Sequence, residues 1–189
     1  MNKKIALTGL KAGYIHQVTE NTEAAYKTGE AKRLIGLQSL SKEDEKDDFD
    51  IPADDEIYAT GSDFKYTNLE LVVAQLDNEM EAYMSGGTFS KQDNVYVAKS
   101  MDIAPEIALC YAAANISGGY RLFRHPVCKV ISITVEHKTK GDGTEVASYT
   151  LALRGTARKI DGATREQKDV DTADFTWLKT LEQLPVTGQ

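Results

Sequence analysis

The sequence predicts a mainly β fold with two short helices. Three observations carry that prediction: apolar and polar residues alternate in several runs, apolar residues recur at helical spacing in only two short stretches, and turn-forming residues separate the alternating runs. A chain of 189 residues, 41% apolar and 27% charged, has the composition of one globular domain, 1–189, able to build its own core without disulfides or a structural metal.

The elements follow in order along the chain. Short strands are expected at 4–8, 12–18, 33–40 and 56–60. Residues 67–76 place Leu69, Leu71 and Val73 on one face and Glu70, Val72 and Ala74 on the other. Next, Asn78 followed by Glu81 reads as a capping box, with Met80, Tyr83 and Met84 at helical spacing before Gly86-Gly87 stops the segment. Strands are expected at 94–99, 106–116 and 119–124. Residues 127–137 align Ile131, Ile133 and Val135, and residues 145–156 align Ala147, Tyr149, Leu151 and Leu153. Gly141-Asp142-Gly143 between them tolerates positive φ, so these two runs predict a long antiparallel hairpin. Near the carboxyl end Thr172 can cap a segment bearing Trp177, Leu181 and Leu184, predicting an amphipathic helix of about three turns ended by Pro185; an edge strand is the alternative there.

Charge is unevenly placed. Of 29 acids and 22 bases, nine acids and two bases fall between Lys42 and Glu56, leaving 20 of each sign elsewhere. The net charge of -7 therefore resides in one segment and excludes nucleic-acid binding by clustered Lys and Arg. Ser41–Ala53 is expected to be a long mobile loop, because dense like charge opposes packing. No apolar run is long enough for a bilayer-spanning helix, and Ile5–Leu7 is too short for a signal-peptide core, so a cytoplasmic, membrane-free setting is expected.

The chemistry-bearing residues are few. The histidines are His16, His125 and His137, and none stands in a Gly-x-Ser-x-Gly or similar nucleophile setting. Cys110 alternates with Ala108, Ala112 and Ala114 and reads as packing, as does Cys128. His125 and Cys128 lie three apart, but a closed zinc site takes four ligands in two close pairs, and the second pair is missing. Thr8–Gly13 lacks the Gly-Lys-Ser/Thr ending of a phosphate loop, and the acidic run lacks the glycine of a calcium loop. No catalytic residue, metal or cofactor is expected.

Several segments carry a resemblance. Pro52-Ala53-Asp54-Asp55-Glu56-Ile57-Tyr58, the run from Tyr66 to Leu76 entering the short helix, Arg124–Val130, Lys138-Thr139-Lys140 and Tyr149–Arg158 resemble, in order and character, the major tail tube proteins of phages with long non-contractile tails. Together they span most of residues 50–160, and Asp174-Phe175-Thr176-Trp177 is similar to the aromatic ending of that family. Residues Ser90–Met101, with Gln92-Asp93-Asn94, depart from the pattern. The resemblance implies a β-sandwich or barrel flanked by a helix. It also implies self-assembly into hexameric rings stacked as a tube for DNA in transit, with tape-measure and tail terminator or baseplate proteins as further partners. The setting would be a virion tail assembled in the host cytoplasm. The acidic segment then resembles the loop that reaches between rings, giving Glu43, Asp44, Glu45, Asp47, Asp48, Phe49, Asp50, Ile51 and Pro52 as candidate stacking residues, ordered only on docking. The alternative is a soluble β-sandwich module binding a small ligand or saccharide.

Overall fold

The computed structural model describes residues 6–53, 56–135, 148–181 and 184–185, with 51–53, 56–58 and 184–185 described by backbone alone. In chain order the elements are β1 (Leu7–Asn21), β2 (Ala25–Thr28), β3 (Lys32–Leu34), β4 (Leu37–Ala53), β5 (Glu56–Val73), α1 (Asn78–Ser85), β6 (Thr88–Ser90), β7 (Val95–Val97), β8 (Glu106–Asn115), β9 (Tyr120–Val135), β10 (Tyr149–Thr156), β11 (Glu166–Val170), α2 (Thr176–Lys179) and β12 (Leu184–Pro185). The fold is mainly β, as the alternation predicts.

One antiparallel sheet runs β12-β2-β1-β8-β9-β10-β5-β4, with β11 beside β9 and β3 beside β1. Leu34, Arg33 and Lys32 of β3 sit opposite Gly13, Tyr14 and Ile15, and only Ile35 and Gly36 separate β3 from β4. The sheet therefore curls back onto its first strand. Gly36, at φ 77°, supplies the left-handed turn that separates β3 from β4, a conformation costly for residues with a Cβ.

The curl encloses the main core. Ile15, Leu69, Leu71, Val73, Ile107, Leu109, Leu151 and Leu153 meet there, and Met80 and Met84 of α1 join them. The facing side carries the small residues Ala12 of β1 and Ala108, Cys110 and Ala112 of β8, flanked by Tyr14 of β1 and Leu122 of β9, and Leu178 and Leu181 of the C-terminal segment pack there. β8 is thus buried on both faces from Ile107 to Ala113. Large residues line the enclosed side and small ones admit the covering segment.

Several boundaries differ from the sequence expectation. Residues 7–8 and 12–18 form one strand, with 4–5 outside the described residues; 33–40 is divided at Gly36, and 120–124 joins 127–135 in one strand. Within β9, Ser132 lies opposite Ala152 and Val130 opposite Leu153, so Ile131 is an extra residue in a bulge and is 56% exposed. The bulge brings Val130 to the core in its place. The expected turn at 138–144, together with His137, lies outside the described residues. The helix cap is Asp77, whose carboxylate accepts the Met80 N–H at 2.6 Å; Asn78 is already helical and its amide donates to the Asn94 carbonyl at 2.9 Å.

The C-terminal helix is shorter than expected, a single turn at Thr176–Lys179, and Thr172 does not cap it. The physical reason lies across the sheet. The Arg124 guanidinium donates to the carbonyl of Trp177 (Nε, 3.0 Å) and of Thr180 (2.5 Å), diverting carbonyls that a longer helix would use internally. Arg124 also stacks over the Trp177 ring, 3.6 Å from its centroid.

Arg124 and Arg158 are nearly inaccessible, their side chains 4% and 5% exposed. Glu166 of β11 joins them, accepting from Arg124 Nη1 at 3.2 Å and from Arg158 Nη2 at 2.7 Å. Asp161 also accepts from Arg158 Nε at 2.9 Å, and the Arg158 guanidinium lies 5.1 Å from the Tyr26 ring centroid. The Tyr26 hydroxyl in turn donates to the Pro126 carbonyl at 2.5 Å. Buried cations are tolerated when paired and hydrogen-bonded, and losing one partner is strongly destabilising. Glu166→Ala is therefore expected to lower unfolding free energy by about 3 kcal/mol, read as a shift of the urea midpoint, with loss of native Trp177 fluorescence as the C-terminal segment detaches.

Candidate functional site

The acidic segment is a strand. Residues 41–53, expected as a mobile loop, lie in β4 and pair antiparallel with β5 from Leu37↔Val73 to Ala53↔Glu56. Alternation explains how so many carboxylates are accommodated. Neighbouring side chains leave on opposite faces, so acids on one face recur about 7 Å apart rather than crowding at one locus.

Only the root of this hairpin is flanked by a third strand. β10 pairs with β5 from Thr67 to Val73, whereas Glu56–Tyr66 and Glu45–Ala53 pair solely with each other among the described strands. At about 3.3 Å per residue, the eleven residues of β5 beyond that flank make an arm roughly 35 Å long. Its middle is exposed on both strands at Lys46–Asp50 and Ser62–Lys65.

At the root, Asp44 accepts from the Thr67 hydroxyl at 2.6 Å and from the Lys42 ammonium. Those two donors, Lys42 foremost, hold the Asp44 carboxyl below its ordinary range. The Asn68 amide reaches Glu45 at 3.4 Å, and Arg154 of β10 stacks 4.3 Å from the Tyr66 ring centroid. Farther out, Asp47 stands opposite Asp63, a repulsive juxtaposition in an isolated ladder. Lys65 relieves it by donating to Asp47 at 2.7 Å, and its ammonium is held above the usual lysine range by that contact.

Two aromatics anchor the arm. Phe49 lies opposite Gly61, and a Cβ at Gly61 would fall 2.2 Å from the Phe49 ring, so the ring covers bare glycine backbone. Phe64 stands opposite Lys46 on the other face. Phe49 and Phe64 remain 43% and 37% exposed, apolar points among carboxylates.

The predicted stacking residues therefore occupy one strand in order. Glu43, Asp44 and Glu45 sit at the root, Asp47, Asp48, Phe49 and Asp50 on the free arm, and Ile51 and Pro52 continue it opposite Ala59 and Ile57. What the sequence reading missed is that the expected strands 56–60 and 67–76 are joined through Gly61, Phe64 and Lys65 into one strand, β5, and that this strand is the partner of the acidic segment. Its signal was the glycine facing an aromatic at hairpin register, visible only once the pairing is known.

The remaining candidates are packed groups. Cys110 and Cys128 are free and buried, and burial pushes the Cys128 thiol up to about 12 and Cys110 higher still, far from a thiolate nucleophile. His16 is buried and bonded, one ring nitrogen 2.9 Å from the Leu178 carbonyl. Among the described residues no three His, Cys, Asp or Glu are grouped as metal ligands. Elsewhere an open groove of about 530 Å³ runs beside Tyr96, Asp102, Ile103 and Ile131.

No family model matches the chain, and no curated protein matches it. Among solved structures it is similar to a chain of the sheath-tube complex of an extracellular contractile injection system, PVC, in its extended state, determined by cryo-EM. The TM-score is 0.47 and the identity 12%, over 90% of this chain and 95% of that one. At that level the likeness assigns neither family nor function.

Covering a glycine with an aromatic ring across a strand pair contributes about 0.5–1 kcal/mol. Phe49→Ala is accordingly expected to raise amide exchange of arm residues 46–50 and 60–65 by about threefold to fivefold, with β8 protection unchanged. Exchange measured by mass spectrometry checks both halves of that outcome.

Proposed function

We propose that this chain is a structural subunit of a phage tail tube of the long non-contractile type, one domain per subunit, forming hexameric rings that stack into a conduit for DNA. The observation that carries the reading is the acidic β4–β5 arm, roughly 35 Å beyond the flanked sheet, long enough to reach a neighbouring subunit. The order of segments in the sequence supports it. Tape-measure and tail terminator or baseplate proteins would be the other partners, and the assembled particle its location. The role calls for no catalysis, metal or cofactor.

In this reading the arm brings a preformed strand to the next ring, so stacking costs little backbone ordering. Exposed Phe49 and Phe64 supply apolar contact and the carboxylates of Glu43–Asp50 meet cations across the interface. The net negative charge leaves little to retain phosphate in transit.

Negative-stain microscopy and sedimentation of the full chain at rising concentration test the proposal. Rings and tubes are expected. Removing Asp47–Asp50 together with their partners Thr60–Asp63 keeps the ladder in register and should preserve circular dichroism and rings while abolishing long tubes. A monomer under all concentrations and salts, co-expression with other tail proteins included, would overturn the proposal and favour the ligand-binding module; full-length tubes from the shortened arm would remove the stacking role.

Salt supplies a second expectation. Exposed charge pairs are screened beyond about 10 Å at 0.1 M and about 3 Å at 1 M ionic strength. Mean tube length should therefore fall as salt rises over that range, with far-ultraviolet dichroism unchanged.

A further inference from the structure

One buried polar group has no evident packing purpose. His125 of β9 is 1% exposed, and neither ring nitrogen has a hydrogen-bond partner among the described residues. Its ring lies 11° from parallel to Tyr111, centroids 6.1 Å apart, and Tyr111 stacks on Phe123 at 4.9 Å. A phenyl ring would fill that stack without stranding a donor and an acceptor. His16, equally buried, does bond through its ring, so the fold can satisfy an imidazole and here does not.

The location gives the group a use. His125 stands three residues from Cys128, whose thiol donates to the His125 carbonyl at 3.9 Å. Cys128 belongs to a row running across the sheet to Gly155, Thr67 and Asp44. That row is where the β4–β5 arm leaves its last flanking strand. The charges that act on the imidazole are Arg165 before β11 and Lys42 and Asp44 on β4; the Tyr111 ring on β8 stacks with it, and the Cys128 thiol on β9 bonds its backbone carbonyl.

We propose that His125 is an acid-sensitive release for the arm, its protonation inside the aromatic stack loosening the Asp44–Thr67 root while the C-terminal side of the sheet stays packed. An imidazolium there has two donors, no acceptor within reach, and cations at Arg165 and Lys42 for company. Among the described residues Asp44 is the acid that attracts it, and Asp44 is already bonded to Lys42 and Thr67. To approach the new charge, Asp44 must leave the contacts that hold the hairpin root.

The sign follows from the direction of the shift. Burial first, then Arg165 and Lys42, lower His125 from its ordinary 6.5 to about 4. A group depressed in the folded state contributes stability that is complete above its unfolded value and is lost as pH falls toward the folded one. Release is thus confined to mildly acid conditions, between those two values.

Nuclear magnetic resonance of the full chain, titrated from about pH 7.5 to about pH 4, tests this with His125→Phe and His125→Gln as variants. In the wild type, amides of residues 42–45 and 66–68 should shift with the same midpoint as the His125 ring, well below 6.5, before the Trp177 ring responds. In His125→Phe the same amides should hold their native positions about one pH unit further down. His125→Gln, uncharged at every pH, serves if the phenyl variant does not fold. An ordinary midpoint near 6.5 for the ring, an unchanged root titration in either variant, or simultaneous loss of the Trp177 signal would each overturn the proposal.

Discussion

Two arginines buried on one carboxylate hold the covering layer of this protein in place. Glu166 joins Arg124 and Arg158, and Arg124 in turn binds the carbonyls of the C-terminal turn and the face of Trp177. Without those contacts the small-residue face of β1 and β8 would lie open to water, because Ala12, Ala108 and Ala112 have too little bulk to form a core alone. The ion cluster thus fixes where the C-terminal segment lands, and burial of Leu178 and Leu181 supplies the favourable area once it has landed.

The same division governs the acidic arm. Charge density suggested a solvated loop, but strand geometry separates neighbouring carboxylates onto two faces, and Thr67, Lys42 and Lys65 bond the ones nearest the root and midpoint. Backbone pairing with β5 over the full strand does the rest. Low strand propensity of Asp and Glu is overridden by register, by the ring of Phe49 on Gly61 and by continuity with a well-packed root.

How much of this was legible depended on whether the signal was local. Leu69, Leu71 and Val73, or Leu151 and Leu153, announce a half-buried strand in five residues, and Ala108, Cys110 and Ala112 correctly read as packing. The first helix was visible from Met80 and Met84, although the cap moved to Asp77. β11, reading Glu166-Gln167-Lys168-Asp169-Val170, has no apolar alternation; its strand character comes from pairing with Tyr120–Arg124, far away in sequence. The bulge at Ile131 and the single-turn end at Thr180 likewise depend on partners across the sheet. For the arm, composition marked the acidic segment, but the conformation it adopts is set by Gly61 and the strand around it.

β4 closes the sheet order, so one side of a seventeen-residue strand has no ladder neighbour among the described strands. Unpaired edges of that length ordinarily invite addition of an identical edge. Here six acids and two lysines lie along it, and two such edges brought together about a twofold axis would set like charge against like. An isologous contact through β4 is disfavoured by its own side chains. A second copy approaching that edge must present a different, cation-bearing surface, which makes the contact heterologous and gives any assembly built from it a direction.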